Sequence, residues 1–200
     1  DDNITLKDAA HLWGVSPAEV ETTLKDEIGD YYIRVAAIGL AGEKQSRIAN
    51  IINDQTRAAG RTGLGAVMGS KNLKAIAVRG THDVAVAKPD LFVEMVQDFH
   101  ERMKGPAAQK HRTLGTVQNL TINNTLTCLP TNNFNNSYFL DAGKINADVL
   151  NEGYVTRIIA CNSCAMRCEH EAAIKEGTFK GTMARMEYDN LWAFGPNCGV

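Results

Sequence analysis

Cys161-Asn162-Ser163-Cys164-Ala165-Met166-Arg167-Cys168 carries three of the chain's five cysteines, and its reading decides what the second half of the sequence folds around. The spacing is C-x2-C-x3-C, close enough for the sulfurs to converge on one centre if the segment turns and then begins a helix. Three readings are open. Three close thiolates with a remote fourth suit the corners of a [4Fe-4S] cube. A mononuclear zinc site normally announces two pairs, or a pair with nearby histidines, and is the second reading. The third is structural: positions three and seven apart share a helix face, so the thiols would be buried together there. If a cluster exists, the protein moves electrons.

Composition bounds the rest. Two hundred residues make one domain or two small ones, with apolar content enough for a core. Lysine and arginine total 21 against 23 acidic residues, so nothing points to nucleic acid or an anionic membrane as partner. The start Asp1-Asp2-Asn3 has no basic and apolar leader, and no apolar run reaches the roughly eighteen residues of a membrane span. A soluble protein without a membrane span is expected. An odd number of cysteines, three of them bunched, argues against a disulfide framework and for a reducing compartment, read as the cytoplasm. An exposed cluster would also favour low oxygen.

The sequence opens in mid-structure. Thr5 to Trp13 reads as a short turn or helix. Ser16-Pro17-Ala18-Glu19 is a capping box with proline at the first helical position, which predicts a helix running to Gly29. Tyr31 to Ile38 is β-rich and bounded by glycines, hence a strand, followed by a turn at Gly39 to Glu43. Ser46 to Ile52 fits strand or helix. Asn72 to Val78 predicts a closing strand.

Between them lies Arg57-Ala58-Ala59-Gly60-Arg61-Thr62-Gly63-Leu64-Gly65-Ala66-Val67-Met68-Gly69-Ser70-Lys71. Four glycines among small residues let a backbone approach a ligand closely, and Arg57 and Arg61 offer paired donors to phosphate or a planar heterocycle. It is no dinucleotide fingerprint, because Met68 stands where the third glycine belongs. Nor is it a Walker loop, because Gly65 and Gly69 are one residue too close and Ser70 precedes Lys71. An anion-binding loop and a plain glycine-rich connection both fit.

Beyond the polar connection Arg79 to Asp83, Pro89 predicts a helix in which Leu91, Phe92, Met95, Val96, Phe99 and Met103 recur at helical spacing up to Gly105-Pro106. Its methionines are expected in the core. A second short helix is expected around Leu114, Val117 and Leu120, and another over Ala147 to Gly153. The asparagines around Cys128 to Asn136 are expected to bond within their own turns. In Met186-Glu187-Tyr188-Asp189, one carboxylate suits a helix start and leaves the other free to face a cleft. Cys198 fits a cluster ligand, a metal ligand or a buried thiol.

At these residues the sequence resembles the aldehyde:ferredoxin oxidoreductase family, the tungsten (sometimes molybdenum) bis-pterin enzymes. The likeness rests on Ala41-Gly42-Glu43, Arg57-Ala58-Ala59-Gly60-Arg61, Gly65 through Val78, the three-cysteine segment, and Glu187-Tyr188 leading into Trp192-Ala193. It implies an α+β fold: residues 1–84 as the end of an N-terminal β-sheet domain that covers the pterin phosphates, and residues 85–200 as the start of an α-helical, cluster-bearing domain. It implies a bis-molybdopterin tungsten or molybdenum cofactor, with Arg57, Gly60, Arg61 and Glu187 among its contacts. The Ala58 carbonyl would help hold a magnesium ion bridging the phosphates. Cys161, Cys164 and Cys168 would bind the [4Fe-4S] cluster, whose fourth ligand is expected after Val200. The chain reads as part of something larger and oligomeric, inactive by itself.

Two positions depart from the family pattern. Asp189 stands where the family's aldehyde oxidases place a glutamate proposed as acid/base, one methylene longer. Cys198 falls near the metal, as in the related tungsten subunit of benzoyl-CoA reductase. The resemblance therefore implies oxidation of an aldehyde to a carboxylic acid, with Asp189 managing the proton and electrons leaving through the cluster to ferredoxin or an iron-sulfur subunit. The alternative is reduction of an aromatic acyl-CoA with Cys198 on the metal. A further reading is a non-enzymatic metal-binding piece.

Overall fold

Ser16 begins the first helix for the reason its sequence announces. In the computed structural model, which describes residues 3–200, the Ser16 hydroxyl accepts from the Glu19 amide, and Glu19 reaches back to the Ser16 amide at 3.2 Å. Helix α1 (Pro17–Ile28) then runs to Gly29, whose left-handed backbone (φ 71°) ends it. The chain forms two compact units, Asp1–Ala85 and Val86–Val200, with Asp1 and Asp2 outside the described residues. Together they make the α+β architecture expected.

In the first unit α1 covers a four-stranded antiparallel sheet of order β3-β2-β1-β4. Its strands are β1 (Arg34–Ala37), β2 (Ile51–Asn53), β3 (Arg57–Ala59) and β4 (Ala75–Val78). Strand β1 starts later than its β-rich sequence suggests, because Asp30 holds a turn, accepting from the Tyr32 amide at 2.8 Å. Leu12, on a 3-10 turn at Ala10–Leu12, joins Val20, Ile33, Val35 and Ala37 in the core. Two short helices, α2 (Leu40–Glu43) and α3 (Leu64–Ser70), pack backbone to backbone. A Cβ on Gly69 would run into the Gly42 carbonyl oxygen, and one on Gly65 would stand 2.5 Å from the Asn50 carbonyl oxygen. These glycines serve close packing within the chain, the second of the two readings open for this stretch. Beneath them Lys74 and Glu43 form an ion pair, 0% and 2% exposed. Lys74 also donates to the Val15 carbonyl at 2.8 Å, and Glu43 accepts from the Gly14 amide at 2.9 Å. Burial pushes the Glu43 carboxyl up, but the Lys74 hydrogen bond, the Gly14 amide and the charges of Lys74 and Lys44 outweigh it and hold the carboxyl below its ordinary value.

The second unit begins with α4 (Pro89–Lys104), stopped at Gly105 as predicted. Its apolar stripe is not core: Phe92, Met95 and Phe99 are 54%, 62% and 56% exposed. Helical periodicity marks a face, and within this unit that face stays largely open, with only Val96 and Met103 of the stripe half-buried. Helices α5 (Pro106–Leu114) and α6 (Gln118–Thr125) follow, broken at Gly115 (φ 64°, ψ −166°). Leu120, Leu129 and Ala142 form the core, with Tyr188, Leu191 and Trp192 packed on it. Helix α7 (Ala147–Gly153) is capped by the Asn146 side chain. The half expected to be helical also contains an antiparallel sheet of order β5-β6-β7: β5 (Val155–Ile159), β6 (Glu169–Ala173) and β7 (Met183–Met186). Central strand β6 reads polar yet is buried, because Arg185 and Arg157 pair with Glu169 and Glu171 at 3.1 Å each from the neighbouring strands. The unit ends with α8 (Tyr188–Phe194) and a 3-10 turn at Pro196–Cys198.

Candidate metal and cofactor site

The three clustered cysteines occupy the hairpin connection between β5 and β6, where Ile159 pairs with Glu169. The segment turns but does not become a helix. Ser163 (φ 56°) and Arg167 (φ 52°) are left-handed, which interrupts helical propagation, and the Cys164 amide closes a turn on the Cys161 carbonyl at 3.0 Å. Cys161 and Cys164 are exposed and Cys168 is half-buried. Burial pushes the Cys168 thiol above its ordinary value, and the negative charges of Glu187, Cys161 and Cys164 push it further. A cation in the loop would reverse the effect and favour thiolates.

Among the described residues, no group of three histidine, cysteine, aspartate or glutamate side chains is arranged to hold a single metal ion. Thiols are the donor type that an iron-sulfur cluster takes, and three of them share this one loop.

Glu187 follows β7 and caps α8, accepting from the Asn190 amide while its own amide donates to Asn190 Oδ1 at 3.0 Å. The Thr116 hydroxyl donates to Glu187 Oε2 at 2.5 Å and accepts from the Tyr188 amide at 3.0 Å. Asp189 is exposed in the first turn, its only described hydrogen bond a long one of 3.4 Å from Trp192 Nε1. Of the two carboxylates, the first is thus fixed and the second free. Cys198 lies beyond the helix, on the 3-10 turn after Gly195, where its thiol donates to the Ala193 carbonyl at 3.3 Å. The asparagine loop is tied to that turn: the Asn132 and Asn133 amides donate to the Pro196 and Asn197 carbonyls at 2.9 and 2.7 Å. Phe134 packs edge-on against Trp192, ring centres 5.9 Å apart. The asparagines bond across elements as well as within their turns, since Asn123 donates to the Tyr188 hydroxyl and Asn124 brackets Phe139 through both amide atoms.

In the first unit, Arg57 and Ala58 sit on edge strand β3, opposite Asn53 and Ile52. Gly60 and Arg61 make the exposed turn into α3. Unlike Gly65, Gly60 has room around it: a Cβ there meets only the Asn50 side chain, at 3.7 Å. The open backbone between two arginines suits an anionic ligand.

Thr116 and Gly115 escape a reading by motif. A Cβ on Gly115 would stand 2.7 Å from the Cys168 carbonyl oxygen and 3.4 Å from His170 Nε2. The only sequence signal is the glycine that interrupts two helical patterns.

The N-terminal domain model of aldehyde ferredoxin oxidoreductase matches residues 1–80, and the model of its domains 2 and 3 matches residues 94–200. The chain belongs to the aldehyde ferredoxin oxidoreductase family. Its relatives include the tungsten-containing aldehyde ferredoxin oxidoreductases of Pyrococcus abyssi, 37% identical, and Thermococcus kodakarensis, 36% identical. Each alignment covers 100% of this chain and 33% of the relative, so the chain spans about a third of their length. Among solved structures, the active site complex BamBC of benzoyl coenzyme A reductase with 1,5-dienoyl-CoA matches at a TM-score of 0.70 and 26% identity, over 98% of this chain and 31% of that one. No helix among the described residues is long and apolar enough to cross a membrane.

Proposed function

We propose that this chain supplies the pterin loop and the cluster loop of a tungsten oxidoreductase that oxidises an aldehyde to a carboxylic acid. Residues 1–84 would form the end of the tungstopterin domain and residues 85–200 the start of the cluster-bearing domain. The observation that supports the reading is that Cys161, Cys164 and Cys168 share the one short hairpin loop between β5 and β6. Tungstopterin would supply the two-electron step and the [4Fe-4S] cluster one-electron transfer to ferredoxin.

This chain's residues hold and orient. Arg57 and Arg61 donate to pterin phosphates, Gly60 leaves room for them, and the Ala58 carbonyl contributes to a magnesium ion. Cys161, Cys164 and Cys168 give up their protons to become ligands. Glu187, fixed by Thr116 and its capping role, borders the cofactor and keeps the start of α8 in place. Asp189 is the carboxylate left free to take a proton as water adds to the carbonyl carbon. Two electrons and two protons leave for each carboxylic acid formed.

The exposed Cys198 and the shortened acid Asp189 favour one second reading, a tungsten subunit that reduces the ring of benzoyl-CoA. Assay of the complete enzyme with a viologen dye separates the two. Turnover with benzaldehyde and none with benzoyl-CoA is expected; the reverse pattern eliminates aldehyde oxidation. Metal analysis showing zinc, without tungsten, molybdenum or iron, would overturn both.

A further inference from the structure

Beside the cysteine hairpin, between the end of α4, helix α5 and strand β5, lies a cavity of about 440 Å³. That is the size of a small-molecule site, which spans about 300–1,000 Å³. Three cations line it, Lys104, Arg112 and Arg167, with Gln109 as a further polar group and Ile158 as an apolar wall; no lining residue is acidic. We infer that this cavity binds the phosphoryl or carboxylate end of a small organic anion.

Arg112 carries the argument. Its Nη1 donates to the Lys104 carbonyl at 3.1 Å, which orients the guanidinium and leaves Nη2 without a protein partner among the described residues. A guanidinium held by one nitrogen, with another donor unused, is set to grip an oxyanion. Arg167 adds a second donor fork. It stands in the left-handed region (φ 52°), a conformation that a non-glycine residue keeps only where its surroundings impose it, and it forms no ion pair among the described residues. Lys104 pairs with Glu101 at 2.9 Å, but both ends are exposed, and such pairs exchange readily for a bound anion. The concave shape and the Ile158 wall favour a compact organic anion over the acidic face of a protein. Lys104, Arg112 and Ile158 lie outside the cysteine loop, and Arg167 stands on it.

The test is calorimetric titration of the complete protein, in phosphate-free buffer, with inorganic phosphate, benzoate and phenyl phosphate. Saturable binding is expected, tightest for phenyl phosphate, which combines a phosphoryl group with an apolar end. Arg112→Gln should weaken it about tenfold or more, the loss of a charge-assisted bond, and Arg167→Gln severalfold. Arg34→Gln, on the sheet of the first unit, should leave it unchanged. If Arg112→Gln fails to fold, the Lys104→Gln, Arg167→Gln double variant carries the test. Absence of saturable binding overturns the inference, as does binding that none of these changes weakens, or tighter binding of polyglutamate than of phenyl phosphate. Iron content, measured on the same samples, reports on the cluster loop separately, so one reading can fail without the other.

Discussion

The glycine-rich stretch of the first unit and the cysteine hairpin of the second both look functional, yet their internal accounts are opposite. Gly65 and Gly69 are explained by the backbone packed against them. Cys161 and Cys164 are exposed on a loop whose shape needs no thiol. A residue that packing already explains says little about a ligand, whereas one that packing leaves unexplained is where chemistry should be sought. Within the glycine stretch the same test separates Gly60, which has room around it, from Gly65 and Gly69.

Substitutions sharpen this contrast by asking what each residue does for the metal-free fold. The largest effect should come from Lys74→Met, which strands the Glu43 carboxylate in the core; about 3–5 kcal/mol of stability should be lost in denaturant titration. Gly69→Ala should cost about 1–3 kcal/mol, since helix α3 must back away from α2. A cost near zero would return Gly69 to the ligand and undo the distinction. Acid gives a smaller, graded effect. Glu43 titrates below its ordinary 4.5 when folded, so its contribution is complete above that pH and disappears as pH falls through the lower folded value. Glu43→Gln should flatten this part of the denaturation-midpoint profile. Smallest of all, Cys164→Ser should change metal-free stability by no more than about 0.5 kcal/mol, while iron bound by the complete protein falls sharply.

Where the cause is local, the sequence already states the structure. Ser16 with Glu19 and Gly29 mark helix ends that form as written, and the stop at Gly105 ends α4 where its glycine and proline say it should. Distant partners leave no such mark. Strand β6 is held by arginines on two other strands, so Glu169-His170-Glu171 does not look like a central strand, and the cysteine segment was expected to enter a helix. The stripe on α4 was legible, but its exposure was not, because periodicity cannot name what covers a face. The cysteine spacing told which atoms to watch; that they ride a hairpin depends on pairing between residues on either side of the loop. Thr116 has no motif at all, and its role at Glu187 follows only from the meeting of α8 with the α5–α6 junction.

That junction has a mechanical consequence. Gly115 abuts the carbonyl of Cys168 while its neighbour Thr116 holds the carboxylate that opens α8. One bend in the helical layer therefore acts as a common hinge pin for the exit of the sulfur loop and the helix bearing Asp189. Anything that shifts the pin displaces both together, so neither can be retuned without disturbing the other.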